Sequence, residues 1–600
     1  MARTIHPSTS RLSEVNRMLR LYFWNPVRSC ALLLMLSALA STGLADEKLQ
    51  RREIAAPPRK PAIGPENVWL SETPADCPFS RSVTLRGLRF TGRHAEYTNA
   101  DTWYPSWASD NKLYSPFTDG VVNGLKADSA GPNANTGQAT ILGDDPMKLQ
   151  VVDQSVYQSS PSPYLGRYPC GSLVYNGIWY YGTYCLGPAG LVRHEGVAYN
   201  WPWLGPFVGF RYSTDFGKTW TQTPRTPDKP LFGENGLEGK PVRIGSPHFV
   251  DFGRNMEHSP DGKAYLVAHG ASVPDPKPRF CNHSWITGDA IYLLRVTPSI
   301  ENINDASKYE FCAGLDADGK AIWTNDFQKI KPIAEWNDNM GCVTITYNAP
   351  LKKYIMCVTD GTNTVGYFHT YLLESDQIAG PWKLVNYMKQ FGEQAYFVNI
   401  PSKFISADGR RLWLCYAANF APNWNGTSIL SRPPGSRYGM CLQEVDVLGP
   451  GDVLPVAPPK TALDAEDNVA RSAMVSVSST PRTMTGGGLI DGSVSDDPQQ
   501  EWISREKETA MARLTWRDAQ NIDRVWLFDR ANASDQVTSA MLVFSDGSTI
   551  SVGELPNDAK TGIEVKFSPR KVTWMAVIVT GVSPSTENVG LAEIAAFRAK

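Results

Sequence analysis

From residue 81 to 448 the chain is a succession of short strand-forming runs broken by Gly, Asn and Asp. No long stretch in it carries an apolar residue at every third or fourth position. Residues 172–184 (SLVYNGIWYYGTY), 264–270 (AYLVAHG), 290–296 (AIYLLRV), 343–359 (VTITYNAPLKKYIMCVT) and 412–418 (LWLCYAA) each read as part of a hairpin. Asn176-Gly177 has the chemistry of a two-residue turn, because both residues tolerate a positive φ. The 49 glycines and 44 prolines suit many short strands and few helices. An all-β protein is predicted. Polar segments near Asp101, Arg167, His248, Asn339 and Tyr396 are each followed by two or three such runs. Five units of this kind predict a five-bladed β-propeller over 81–448, with its loops crowding one mouth of a central channel. A pair of sandwiches is the alternative.

The flanks have other compositions. Residues 29–45 (SCALLLMLSALASTGLA) follow Arg17, Arg20 and Arg28 and end in small residues, the pattern of a signal peptide over 1–45. The expected protein is therefore secreted or periplasmic, with no stable membrane span once processed; an N-terminal anchor is the other reading. Residues 46–80 hold six prolines and read as a linker or a strap over the body, and 449–466 (GPGDVLPVAPPKTALDAE) reads as a second linker. Residues 467–600 then form a separate β-rich module. A formal net charge of −2 supplies no basic field, which excludes a nucleic-acid partner and an anionic membrane. A monomer is expected. None of the ten cysteines shows zinc-ligand spacing, and Cys170/Cys185 and Cys281/Cys312 are the nearest pairs for disulfides.

The densest chemistry lies at 97–120. Asp101 and Asp119 stand 18 residues apart, each at the edge of a strand-like run, with Asp110-Asn111-Lys112 as the turn between them. Folding back antiparallel brings the two carboxylates together. Trp103, Tyr104 and Trp107 offer flat faces on which a sugar ring can stack. Paired carboxylates beside aromatic platforms are what glycosidic cleavage uses, one as proton donor and one as nucleophile or base. The bland alternative has the aspartates capping turns and the aromatics filling the core. Arg167, His248, Asn339, Glu393 and Tyr396 sit at the starts of later units, where polar side chains face the channel and can bind substrate hydroxyls. Glu393 is the replacement proton donor if Asp119 is structural. Ser213-Thr214-Asp215-Phe216-Gly217-Lys218-Thr219-Trp220 fits S-x-D-x-G-x-x-W, the Asp-box of sialidases and other propellers, and marks a hairpin turn rather than a catalytic site.

The Asp–hairpin–Asp layout, with LYSPFTDG (113–120) as its second half, resembles the first blade of a five-bladed propeller family that includes bacterial endo-D-arabinanases. The resemblance implies glycoside hydrolysis without a cofactor. By that analogy Asp101 is the nucleophile or base and Asp119 the acid. Thr118 departs from the glycine of the family's FGDT-like segment, and Trp103 replaces a small residue. Asn468-Val469-Ala470, Leu489-Ile490-Asp491-Gly492, Trp502 and the final VGLAEIAAF (589–597) resemble, in order, the discoidin or coagulation-factor C-type module. That galactose-binding-like β jelly roll is shared with family 32 carbohydrate-binding modules. It implies a structural Ca²⁺ at Asp491 and Glu593, or a calcium-free variant. Two functional classes stand: an exported glycoside hydrolase anchored to polysaccharide by its module, and a non-catalytic lectin or adhesion protein. A polysaccharide lyase using Arg167 and His248 is a third reading.

Overall fold

The computed structural model describes residues 61–599 apart from 64–65, 188–191, 195–196, 200–203, 238–239, 274–283, 362–367, 393, 419–432, 455–462, 464, 466, 480–485, 493, 495–500, 505, 507–508, 531–533 and 559–560. The expected signal segment, most of the N-terminal linker and Glu393 lie outside the described residues. Described helix is confined to 3-10 turns of three to five residues; everything else regular is strand. No described helix is long and apolar enough to cross a membrane.

Five antiparallel sheets follow one another along the chain. Sheet one runs Asn99–Asp101, Leu113–Val122, Asn135–Leu142 and Gln150–Gln158. Sheet two is Gly166–Tyr175, Ile178–Leu186 and Leu204–Ser213. Sheet three begins at His248–Phe249 and continues through Ala264–Gly270, Ala290–Val296, Glu310–Leu315 and Ala321–Thr324. Sheet four is Val343–Asn348, Lys353–Asp360, His369–Ser375 and Lys383–Met388. Sheet five takes Tyr396–Asn399, Arg411–Ala417 and Cys441–Leu448, and it is completed by the early strand Gly87–Glu96. That last pairing is antiparallel from Leu448↔Gly87 to Cys441↔Glu96.

Hydrogen bonds link the start of each sheet to the next and return to the first. Val174 N donates to Ser106 Oγ (2.9 Å), and Gly171 N to the Pro247 carbonyl (2.8 Å). Asp251 N donates to Ile345 O (2.9 Å), and Thr344 Oγ1 to Val398 O (2.8 Å). Asn399 Nδ2 closes the circuit on Trp103 O (2.9 Å). These links are single backbone and side-chain hydrogen bonds and an isolated parallel bridge, Asp251↔Thr346, in place of a continuous ladder. Residues 69–82 lie along the Lys383–Met388 edge as a strap: Glu72 N donates to Tyr387 O (3.1 Å), and Ser82 N to Leu384 O (2.7 Å).

Local sequence explains much of this. Asn176 and Gly177 adopt φ of 49° and 79° between the paired residues Tyr175 and Ile178, the two-residue turn their chemistry favours. In the Asp-box, Ser213 Oγ and Thr219 both bond the Asp215 carboxylate, and Trp220 packs 5.2 Å from Trp179. The box is a turn that pins one sheet, as its sequence implies. The disulfide expectations do not hold. All eight described cysteines are free. The register sets Arg167 opposite Cys185, so Cys170 faces Gly182 instead of its expected partner. Cys281 lies outside the described residues, and Cys312 is free.

The C-terminal module has its own core, built only from residues 469–596 around Trp502, Trp516, Leu527, Val577 and Ile594. Its two long strands, Met511–Phe528 and Ile563–Val582, pair with each other across register shifts after Thr515 and Ile522. Asn468 fastens the module's beginning to its end: Oδ1 accepts from Ala470 N and Ala596 N, both at 3.2 Å.

Candidate functional site

The pair Asp101 and Asp119 sits where two adjacent strands of sheet one become irregular. The register passes from Asn99↔Val121 to Asp101↔Thr118, so Asp119 and Gly120 together oppose Ala100. A Cβ on Gly120 would lie 2.0 Å from the Asn99 carbonyl, which makes glycine obligatory at this close approach. Thr102 adopts φ 67° and Asp119 φ 49°. Such values are unfavourable for a β-branched residue and uncommon for aspartate, and they gather where surrounding contacts over-determine the backbone.

Each carboxylate has its own donors. Asp101, 7% exposed, accepts Thr102 Oγ1 on Oδ1 (2.9 Å) and the Tyr396 hydroxyl on Oδ2 (2.8 Å). Asp119 accepts Ser129 N on Oδ1 (2.8 Å) and Ser129 Oγ on Oδ2 (2.7 Å). Ser129 is itself fixed, its carbonyl accepting Arg167 N at 2.8 Å. Both carboxylates bear on the same phenols. Burial first, and then the charges of Asp101 and Asp119 among others, raises the Tyr396 and Tyr168 hydroxyls well above the usual tyrosine range.

The expected sugar platform looks different. Trp103 is 1% exposed, stacks on Phe117 at 5.5 Å and 14°, and donates Nε1 to Ala100 O (2.7 Å); it is a core residue. The turn in sense at Thr102 sends it inward. Trp107 pairs with Leu113, five residues along the strand from Thr118, roughly 17 Å away at strand rise. It stands beside the Asp110–Lys112 turn, donating Nε1 to Asn111 Oδ1 (3.0 Å), away from the carboxylates. Tyr104 lies buried with its ring 3.9 Å from His248 and its hydroxyl without a hydrogen-bond partner.

The remaining expected residues divide likewise. Arg167 is buried, spending Nε on Thr183 Oγ1 (2.8 Å) and Nη1 on Ser160 O (2.8 Å). His248 is 2% exposed and its Nε2 meets Ser246 Oγ at 3.3 Å. Asn339 is buried, with Nδ2 donated to Asn337 O (2.6 Å). Tyr396 alone of this group reaches a carboxylate. Ser129, Tyr168 and Tyr438 join the site without having been expected there. Tyr168 stands beside Arg167 in GRYPCG, a signal that could have found it; Ser129 in KADSAG has none.

A central cavity of about 50 Å³ is lined by the first strands of all five sheets, among them Tyr104, Ser106, Gly171, His248, Asp251, Thr344 and Asn399. This is room for one or two water molecules and not for a sugar ring. At the far end, Asp251 accepts Ser402 N (2.8 Å), Ser402 Oγ (2.7 Å) and Gly253 N (3.0 Å), which ties sheet three to sheet five; burial pushes its carboxyl up.

In the module, Glu593 is fully buried. Its Oε1 accepts Gly492 N (3.3 Å) while Oε2 has no partner. Burial, and then the charge of Asp491, pushes its carboxyl well above the usual range. Two crowded carboxylates and an orphaned buried oxygen fit a hard cation with oxygen ligands, although no group of three or more His, Cys, Asp or Glu gathers among the described residues.

A family model described as "domain of unknown function (DUF7402)" matches residues 468–597. No curated protein matches the chain. Among solved structures, the chain is similar to the lectin domain of lectinolysin complexed with Lewis B antigen, at 19% identity over 22% of this chain and 99% of that one, with a TM-score of 0.20. It is also similar to the family 32 carbohydrate-binding module of C. perfringens NanJ in complex with galactose, at 12% identity over 22% and 98%, TM-score 0.19. A Streptococcus pneumoniae fucose binding module follows, at 15% identity over 22% and 95%, TM-score 0.19.

Burial lowers His248 and His369 to about 3, with His269 and Lys389 respectively adding repulsion. Unfolding releases both to the ordinary value near 6.5, so the unfolded chain binds more protons between these limits. The stability they contribute is complete above about 6.5 and is lost as pH falls towards 3. The denaturant midpoint of the five-sheet body should fall from pH 6.5 to 4, and His248→Gln should flatten that slope. An unchanged slope would show that His248 is solvated.

Proposed function

We propose that the five closed sheets are a five-bladed β-propeller acting as an exported glycoside hydrolase, with a C-terminal module that binds glycan. The observation that carries this reading is the pair itself. Two aspartates stand on neighbouring strands at one irregularity of the ladder, and each is held by separate donors. A main-chain N–H only donates, so Asp119 Oδ1 must accept; the hydroxyl partners of Asp101 can donate or accept. Asp119 Oδ2 also faces a hydroxyl, that of Ser129, so either aspartate can carry the proton to the leaving oxygen while the other serves as nucleophile or base. Carboxyl separations of about 5–5.5 Å go with retention and about 6.5–9.5 Å with inversion.

A lyase would need a free cation and a base at the mouth, and Arg167 and His248 are both buried and engaged elsewhere. In the module, Asp491 and Glu593 would hold a structural Ca²⁺, supplying oxygen ligands that fix the Leu489–Gly492 loop against the last strand.

Two experiments test these proposals. The purified protein should release reducing ends, and no unsaturated products, from at least one member of a polysaccharide panel. Asp101→Asn and Asp119→Asn should fold normally and lose on the order of a thousandfold in rate, since acid–base help alone contributes about 10²–10⁴. Wild-type turnover in both variants would make the pair structural. Calcium at about a hundred times its Kd should stabilise the module by about 2.7 kcal/mol. Glu593→Gln should abolish that gain, and an equal gain in the variant would place the ion elsewhere.

A further inference from the structure

We infer that Tyr438 is a positioning residue of the candidate site, anchoring the peptide of Asp119 from sheet five so that its carboxylate faces Asp101. The inference rests on the catalytic reading above and adds to it a side chain drawn from the other end of the chain.

The register explains why an anchor is needed. Asp119 falls in the bulge between Thr118 and Val121, off the regular ladder, and its backbone is left-handed at φ 49°. The Tyr438 hydroxyl donates to the main-chain oxygen of Asp119. Ser129 holds the carboxylate from the other side, through both N–H and Oγ. Peptide and carboxylate are thus fixed by different segments.

Tyr438 is in turn placed rigidly. Met440 N donates to Thr98 Oγ1 (3.1 Å), and Tyr97 N to Met440 O (3.1 Å), so residues 438–440 are zipped onto the approach to Asp101. Between them Gly439, at φ 152°, runs so close that a Cβ would lie 2.0 Å from the Thr98 carbonyl. This contact lets the phenol reach across Asn99–Asp101 to the neighbouring strand. Tyr396, which bonds Asp101, also has Tyr438 and Asp119 among its electrostatic neighbours. Tyr396 of sheet five and Tyr438, in the segment leading into Cys441–Leu448, therefore hold one aspartate each on sheet one. Tyr396 is fully buried, whereas Tyr438 is half-buried at the mouth.

The test is Tyr438→Phe in the full chain, which removes one hydroxyl and leaves the ring. On a substrate turned over by the wild type, kcat should fall about tenfold or more with KM within about twofold, the size of one lost hydrogen bond expressed in the transition state. The limb of the pH–rate profile set by Asp119 should shift. Crystal structures of both proteins form the second arm, independent of any substrate: Asp119 should leave its left-handed conformation or release Ser129 in the variant. An unmoved Asp119 with wild-type kcat would overturn the proposal. So would a rise in KM alone, which would make Tyr438 a substrate contact, or a loss of thermal stability without loss of turnover. If the wild type hydrolyses nothing, the catalytic reading fails while the crystallographic arm still decides the anchor.

Discussion

The pairing of Gly87–Glu96 with Cys441–Leu448 is the contact on which the molecule's chemistry depends. It spends a strand from the beginning of the body to finish the last sheet, and so leaves neither end of the ring with an unpaired edge. Chain closure of this kind costs conformational entropy once, because the intervening sheets are held to their neighbours locally. Its consequence is local. Sheets one and five, separated by some three hundred residues of chain, become neighbours. The Tyr396–Asp101 and Tyr438–Asp119 bonds, at sequence separations of 295 and 319, exist only because of it.

At that seam the structure departs from regular strand geometry. Thr102, Asp119 and Phe397 all have positive φ, and the ladders on both sides of the seam skip residues. Bulges re-aim side chains that a flat ladder would send into the sheet or its neighbour. Here they turn Trp103 into the core and leave Asp101 with hydroxyl donors and Asp119 with a hydroxyl and an amide donor. Polar groups are packed there with partners from several elements.

Much of the organisation was legible in the sequence, for physical reasons. The first strand of each sheet starts at polar residues of the mouth, so segments near Asp101, Arg167, His248, Asn339 and Tyr396 mark sheets beginning at Asn99, Gly166, His248, Val343 and Tyr396. Local chemistry also encodes the Asn176-Gly177 turn, the Asp-box and the Asn468 clasp of the module. The site was legible only in its carboxylates. Whether Trp103 faces a sugar or the core depends on a positive φ at Thr102, a conformation imposed by tertiary contacts against the residue's own preference. Ser129 and Tyr438 carry no motif, and their roles arise from closure. Arg167 and His248 look like ligand-binding residues in sequence because they are polar and lie at sheet starts; burial turns one into a strut and the other into a neutral core histidine.

The central claim is that Asp101 and Asp119 flank a glycosidic oxygen at the mouth of the closed ring. The most direct measurement is a crystal structure of the Asp101→Asn variant with a bound oligosaccharide of a confirmed substrate. The account predicts one glycosidic oxygen within hydrogen-bond reach of residue 101 or Asp119, with the other side chain on the opposite face of the adjoining sugar and Asp119 still held by Ser129. An oligosaccharide bound elsewhere on the body, with both side chains turned away from it, would contradict the account.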